Sequence, residues 1–155
     1  MKICRRKIKL FLLFCAFFLS SSCGSVKIEV DDLPVPPYAE KGNKYPEFGT
    51  QVQLSITGAN YSIKERIGKT NGKLYTFSKK PVTWQELAEF YDPELAKKGF
   101  SRKKPEPLHS VDSWVLFYED GAIFNKKGIA VLLIEAVDYT TKEKYYFLWL
   151  AASED

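Results

Sequence analysis

The chain is poor in the residues that most enzyme chemistry requires. It has one histidine, His109, and three cysteines, Cys4, Cys15 and Cys23. His109 lies in a polar stretch with Pro105 and Pro107, and no cysteine or second histidine stands near it to share a metal. Ser110 and Asp112 are close in sequence, but nothing completes a set of nucleophile, base and orienting group, so His109 reads as an exposed loop residue. Gly-rich phosphate loops, G-x-S-x-G and H-E-x-x-H are absent. No cofactor, metal or catalytic residue is expected. Long hydrophobic runs are missing too. The longest, Leu10–Leu19, would rise about 15 Å as a helix, against about 30 Å of bilayer hydrocarbon.

That short run has flanks of its own. Lys2, Arg5, Arg6, Lys7 and Lys9 precede it without an acidic residue, and Ser20, Ser21, Ser22 and Cys23 follow. A basic start, an apolar centre and a small-residue exit are the parts of a secretory leader, expected over residues 1–22. Removing it changes the charge. Of 23 Lys and Arg residues five lie in the leader, leaving 18 against 19 Asp and Glu, a net charge near −1. Basic clusters remain only as short groups such as Lys79-Lys80 and Arg102-Lys103-Lys104, so no nucleic-acid partner is expected.

Removal of the leader leaves Cys23 as the one cysteine. The stretch Leu19-Ser20-Ser21-Ser22-Cys23 resembles the bacterial lipobox, in which small residues precede an acylated cysteine. Ser21 and Ser22 match; Leu19 stands four before the cysteine, with Ser20 where Leu is usual. The resemblance implies lipid on Cys23, anchorage in a membrane and a place in the bacterial cell envelope. With Gly24 rather than Asp next, it implies the outer membrane. Several acyl chains on one residue exceed what stable anchoring needs.

Residues 23–49 read as the lipidated cysteine and a Pro-rich tether, carrying Pro34, Pro36, Pro37 and Pro46. For 38–49 an arm packed through Tyr38, Tyr45 and Phe48 is the equal alternative. The globular domain is expected over 50–153. Val52, Leu54 and Ile56 alternate with polar residues, predicting a strand. Tyr61, Ile63 and Ile67 suggest a second, and Asn71-Gly72 a hairpin turn returning through Leu74–Phe77. Thr83-Trp84-Gln85-Glu86 predicts a capped helix start. Leu87, Phe90, Tyr91 and Leu95 form its apolar stripe, and Gly99 with Phe100 marks its end. Pro93 should kink or break this helix. Trp114–Tyr118 predicts a strand, and Ile129–Val137 with Tyr145–Ala151 a hairpin joined by Asp138–Lys144.

The order is therefore β-β-β-α-β-β-β. It predicts an α+β, two-layer domain with an antiparallel sheet of five or six strands and one main helix on one face. Tyr45-Pro46, Phe90-Tyr91 and Lys98-Gly99-Phe100 resemble the small α+β domains of uncharacterised bacterial lipoproteins. That resemblance implies a fold and no particular activity.

The aromatic load is the better functional clue. Tyr145, Phe147 and Trp149 project from one side of the last strand and Tyr146, Leu148 and Leu150 from the other. One helix covers one face, so the second face awaits the arm, a partner or a ligand. Trp114, Tyr145, Phe147 and Trp149 are thus the candidate binding surface, for an envelope protein or glycan. The expected function is a non-enzymatic binding or assembly module. The alternative is an envelope hydrolase using an acid pair that includes Glu135, which interrupts the apolar run Ile129–Val137. A sheet edge or a basic partner such as Lys144 is the plainer explanation of that carboxylate, since buried carboxylates are usually paired.

Overall fold

A computed structural model describes residues 28–77, 81–103, 106–107, 113–121 and 127–154. Its elements run β1 (Ala39–Lys41), α1 (Gly49–Ile67), β2 (Thr70–Phe77), α2 (Trp84–Lys97), β3 (Ser101–Arg102), β4 (Glu106–Pro107), β5 (Ser113–Glu119), β6 (Gly128–Val137) and β7 (Lys144–Ser153). One-turn 3-10 helices occupy Val30–Asp32 and Pro46–Phe48. All the strands join one antiparallel sheet in the order β1-β2-β7-β6-β5-β3, with β4 also paired to β5. The α+β character and the antiparallel sheet are as expected. The element order, the helix count and the number of layers differ.

The largest difference is α1. Residues 50–67, expected as two strands, form one helix. The alternation of Val52, Leu54 and Ile56 is a three-residue coincidence, for Leu54 is 63% exposed. The stripe that packs is Val52, Ser55, Ala59, Ile63 and Ile67, at helical spacing. Two of its members are too small or too polar to register as apolar in a sequence window. Pro46 opens the preceding turn, Lys64 and Arg66 sit at the negative end, and Gly68 stops the helix at φ +78°. Gln51 ties the first turn down. Its side-chain amide donates to the Val137 carbonyl at 3.2 Å and accepts from the Val137 N–H at 3.2 Å.

The Asn71-Gly72 hairpin is absent as well. Both residues lie within β2, which pairs with β7 from Thr70↔Ser153 to Phe77↔Tyr146. Gly72 serves another purpose: a Cβ there would stand 2.3 Å from the Trp149 indole, so the missing side chain is the space the ring fills.

α2 matches expectation at both ends. Glu86 N–H donates to Thr83 Oγ1 at 3.2 Å, and Thr83 N–H donates to Glu86 Oε2 at 2.9 Å. At the exit Phe100 N–H reaches the Leu95 carbonyl at 3.0 Å, with Gly99 at φ +83°. The helix runs through Pro93 without a break. The β6–β7 hairpin also stands as expected, with Val137 opposite Lys144.

Strand alternation sorts the core into two clusters on opposite faces. On one face α2 and the early segment Ile28–Leu33 pack on Leu116, Tyr118, Val131, Leu133, Leu148 and Leu150. On the other, α1 packs on Val115, Phe117, Leu132, Ile134, Phe147 and Trp149. The domain is therefore three-layered, with a helix on each side of the sheet, rather than two-layered with one helix. Its start moves too. Ile28, Val30 and Leu33 are buried, so the globular part begins by residue 28 instead of 50. The Pro-rich stretch, expected in part as a tether, packs as an arm. The Asp31 carboxylate pairs with Lys73. Residues 1–22 and Cys23 lie outside the described residues.

Candidate binding groove

The aromatic residues singled out from the sequence do not share a surface. Phe147 is fully buried and Trp149 nearly so, both beneath α1. Tyr145 packs against Tyr45, ring centroids 4.7 Å apart, and Phe48 at 4.5 Å. The chain's own helix and arm thus close this sheet face, and the three residues offer no open platform. Trp114 is the exception. It sits on the opposite face, 36% exposed.

α2 covers only part of that opposite face, and where it begins the sheet emerges as a groove of about 460 Å³. Three adjacent strands supply the floor: Trp114 from β5, Leu133 and Glu135 from β6, and Lys144 and Tyr146 from β7. Register places them side by side, with Trp114 opposite Leu133 and Glu135 opposite Tyr146. Pro81, Val82 and the first residues of α2 form the wall. Trp84, first residue of the helix, stacks on Trp114 with ring centroids 5.5 Å apart and planes 28° from parallel.

The groove's polar pair is Glu135 and Lys144, whose Nζ lies 2.7 Å from Glu135 Oε1. Glu135 stands on a central strand, so of the structural explanations the basic partner holds and the sheet edge does not. Burial first, and then the Glu135 carboxylate, raise the pKa of Tyr146 above its ordinary 10.0, keeping the phenol neutral at physiological pH. The helix end adds no cationic site. Thr83 Oγ1 takes the Glu86 N–H, and the Glu86 carboxylate, folded back on Thr83 N–H, puts a negative charge at this helix end.

Trp84, Tyr146 and Lys144 went unremarked as site residues, though a signal existed. Glu135 and Lys144 can be paired from the sequence as a lone carboxylate and a nearby base, but the register is one residue off: a loop over 138–144 closes Val137 on Tyr145 and sets Glu135 opposite Phe147, whereas the strands close on Lys144 and set it opposite Tyr146. His109 and Asp112 lie outside the described residues. Among the described residues no three His, Cys, Asp or Glu side chains cluster as a metal site. No helix among them is long and apolar enough to cross a membrane. The chain matches no known family model, no curated protein and no solved structure.

Proposed function

We propose that this chain is a non-enzymatic binding module of the bacterial cell envelope, held at the outer membrane by lipid on Cys23 and presenting the Trp84–Trp114 groove to its ligand. The observation that carries the reading is the groove itself: an aromatic and charged floor at a place where neither helix covers the sheet. The lipobox-like run before Cys23 supports the anchorage.

The geometry of the arm supports the orientation. Ile28 lies beside Asn71–Lys73 and Ala152–Glu154, at the C-terminal end of β7, whereas the groove takes in Lys144 and Tyr146 at its N-terminal end. Six residues of strand from Tyr146 to Ala152 span about 20 Å. Five residues from Cys23 to Ile28 reach at most about 17 Å. A short leash at one end of the sheet and a groove at the other suit a domain that turns its site away from the lipid.

Metabolic labelling with palmitate tests the anchor. Label is expected on the wild-type chain in the outer-membrane fraction and lost in Cys23→Ser; an unlabelled wild type overturns the anchored reading. The hydrolase reading rests on Glu135, which faces the groove. Glycoside cleavage in the usual manner needs a second carboxyl within about 5–9.5 Å, and among the described residues lining the groove Glu135 is the one acid. Release of soluble fragments from peptidoglycan, abolished in Glu135→Gln, would replace the binding reading with this one.

A further inference from the structure

The chemistry of the groove narrows what it can hold, on the reading that it is a binding site. A peptide strand is disfavoured, because β6 and β7 are paired on both sides and β5 pairs with β6 and with β3 and β4. The groove floor therefore offers side chains and no backbone ladder for strand addition. An anion would need uncommitted positive charge. Lys144 is already paired with Glu135, and the α2 N-terminus carries the Glu86 carboxylate of its own capping box, which opposes an anion. A quaternary ammonium would need an uncompensated carboxylate and ring faces arranged as a cage. Here the ammonium of Lys144 stands beside the carboxylate, and Trp84 and Trp114 are stacked on each other. A lipid chain would need enclosed apolar walls, whereas Thr83, Gln85, Glu135 and Lys144 line this groove together with its aromatics.

A neutral ring with one apolar face and a rim of hydroxyls meets none of these objections. We propose that the groove binds a saccharide, with a pyranose ring laid against the exposed Trp114 indole and its hydroxyls engaged by Glu135, Lys144 and Tyr146. Trp84 stacked on Trp114 holds the indole in place, so little rotamer freedom is lost on binding. A carboxylate has about four acceptor sites, so the bonds of Glu135 to the Lys144 ammonium and the Tyr146 hydroxyl leave acceptors for sugar hydroxyls, while the Tyr146 oxygen remains an acceptor. The volume, about 460 Å³, lies within the range of roughly 300–1,000 Å³ usual for ligand sites. Carboxylate, ammonium and phenol together provide both donors and acceptors, which matches hydroxyls that do both.

The test titrates the full mature chain with maltotriose, cellotriose and chitotriose, and with choline and inorganic phosphate as controls. Tryptophan fluorescence and saturation-transfer NMR provide the readouts. Saturable binding of at least one trisaccharide is expected, with transfer strongest to ring C–H protons, and no response to choline or phosphate. Trp114→Ala should weaken binding about tenfold or more. Glu135→Gln, a near-isosteric change, should weaken it while leaving the thermal melt within a few degrees of wild type. Silence from all three sugars and from a glycan array overturns the proposal. So does sugar binding indifferent to both substitutions, or comparable binding of choline or phosphate. Failure here with palmitate still on Cys23 leaves an anchored module with another ligand. Sugar binding without palmitate keeps the site and removes the membrane.

Discussion

The two faces of the sheet have nearly the same sequence character and opposite fates. Both are apolar along β5, β6 and β7, and both carry aromatics. The face beneath α1 is closed from end to end: Gln51 fastens the helix to Val137 at one end, and Ile67 presses onto Gly128 at the other. Tyr45 and Phe48 seal the flank over Tyr145. The face beneath α2 is closed by a shorter helix and by Ile28–Leu33, and it opens at Trp114 and Tyr146. Coverage, set by helix length and by where each helix starts, separates core from site here. Aromatic content does not.

The sharpest way to break that comparison is to truncate one aromatic on each face. Phe147→Ala should cost about 3–5 kcal/mol, because a fully buried ring leaves a cavity that the sheet and α1 cannot collapse into. Trp114→Ala should cost less, about 1–2 kcal/mol, since the indole is 36% exposed and its loss leaves no enclosed cavity. Urea unfolding of both variants measures the difference. Equal losses would mean that Trp114 is core and that the groove is only a dent in it.

A smaller effect probes how α1 closes its face. A Cβ on Gly128 would sit 2.1 Å from Ile67 Cγ2, so Gly128→Ala should destabilise by about 1–3 kcal/mol through overpacking. Adding Ile67→Ala removes the atoms in conflict. The double variant should then lose less than the two single losses added together, as coupled neighbours do. Strict additivity, read from the same unfolding curves, would show that the close approach is not what holds the last turn of α1 to β6.

Much of this was legible in the chain before folding. The α2 cap, its glycine exit and the β6–β7 hairpin are local devices, each written in one continuous stretch of chain, and each is present. What escaped was set by distant partners. α1 is helical because a stripe that includes Ser55 and Ala59 packs on β6, a contact no window of its own sequence reveals. Asn71-Gly72 has the composition of a hairpin turn, yet the glycine answers to Trp149, 77 residues away in sequence. The candidate site was legible in part. Trp114 and Glu135 stood out, one for its aromatic character and one as a lone charge in an apolar strand. Trp84 did not, because it lies inside the Thr83–Glu86 capping run, whose local role was sufficient explanation for the stretch. Tyr145, Phe147 and Trp149 drew attention for a property shared by any well-filled core.

The closed part of the α2 face has one polar flaw, and it yields the smallest effect. The Tyr91 hydroxyl is buried without a hydrogen-bond partner among the described residues, whereas nearby Tyr118 donates to Asp92 Oδ1 at 2.9 Å. Tyr91→Phe removes an unpaid desolvation cost and should stabilise the fold by about 1 kcal/mol. Tyr118→Phe removes a charge-assisted bond and should destabilise it by about 1–2 kcal/mol. The two phenols also make stability depend on alkali. Burial pushes both far above their ordinary 10.0; close tyrosines reinforce it for Tyr91, and the bond to Asp92 does so for Tyr118. Above pH 10 the unfolded chain releases phenolic protons that the folded chain retains, so stability present below that pH falls as pH rises. Urea midpoints at pH 8 and pH 11 should therefore drop for wild type, and drop less for Tyr91→Phe. A Tyr91→Phe chain that is weaker at pH 8 would mean that the hydroxyl has a partner after all. An unchanged alkaline drop would mean that Tyr91 is not the group losing its proton on unfolding.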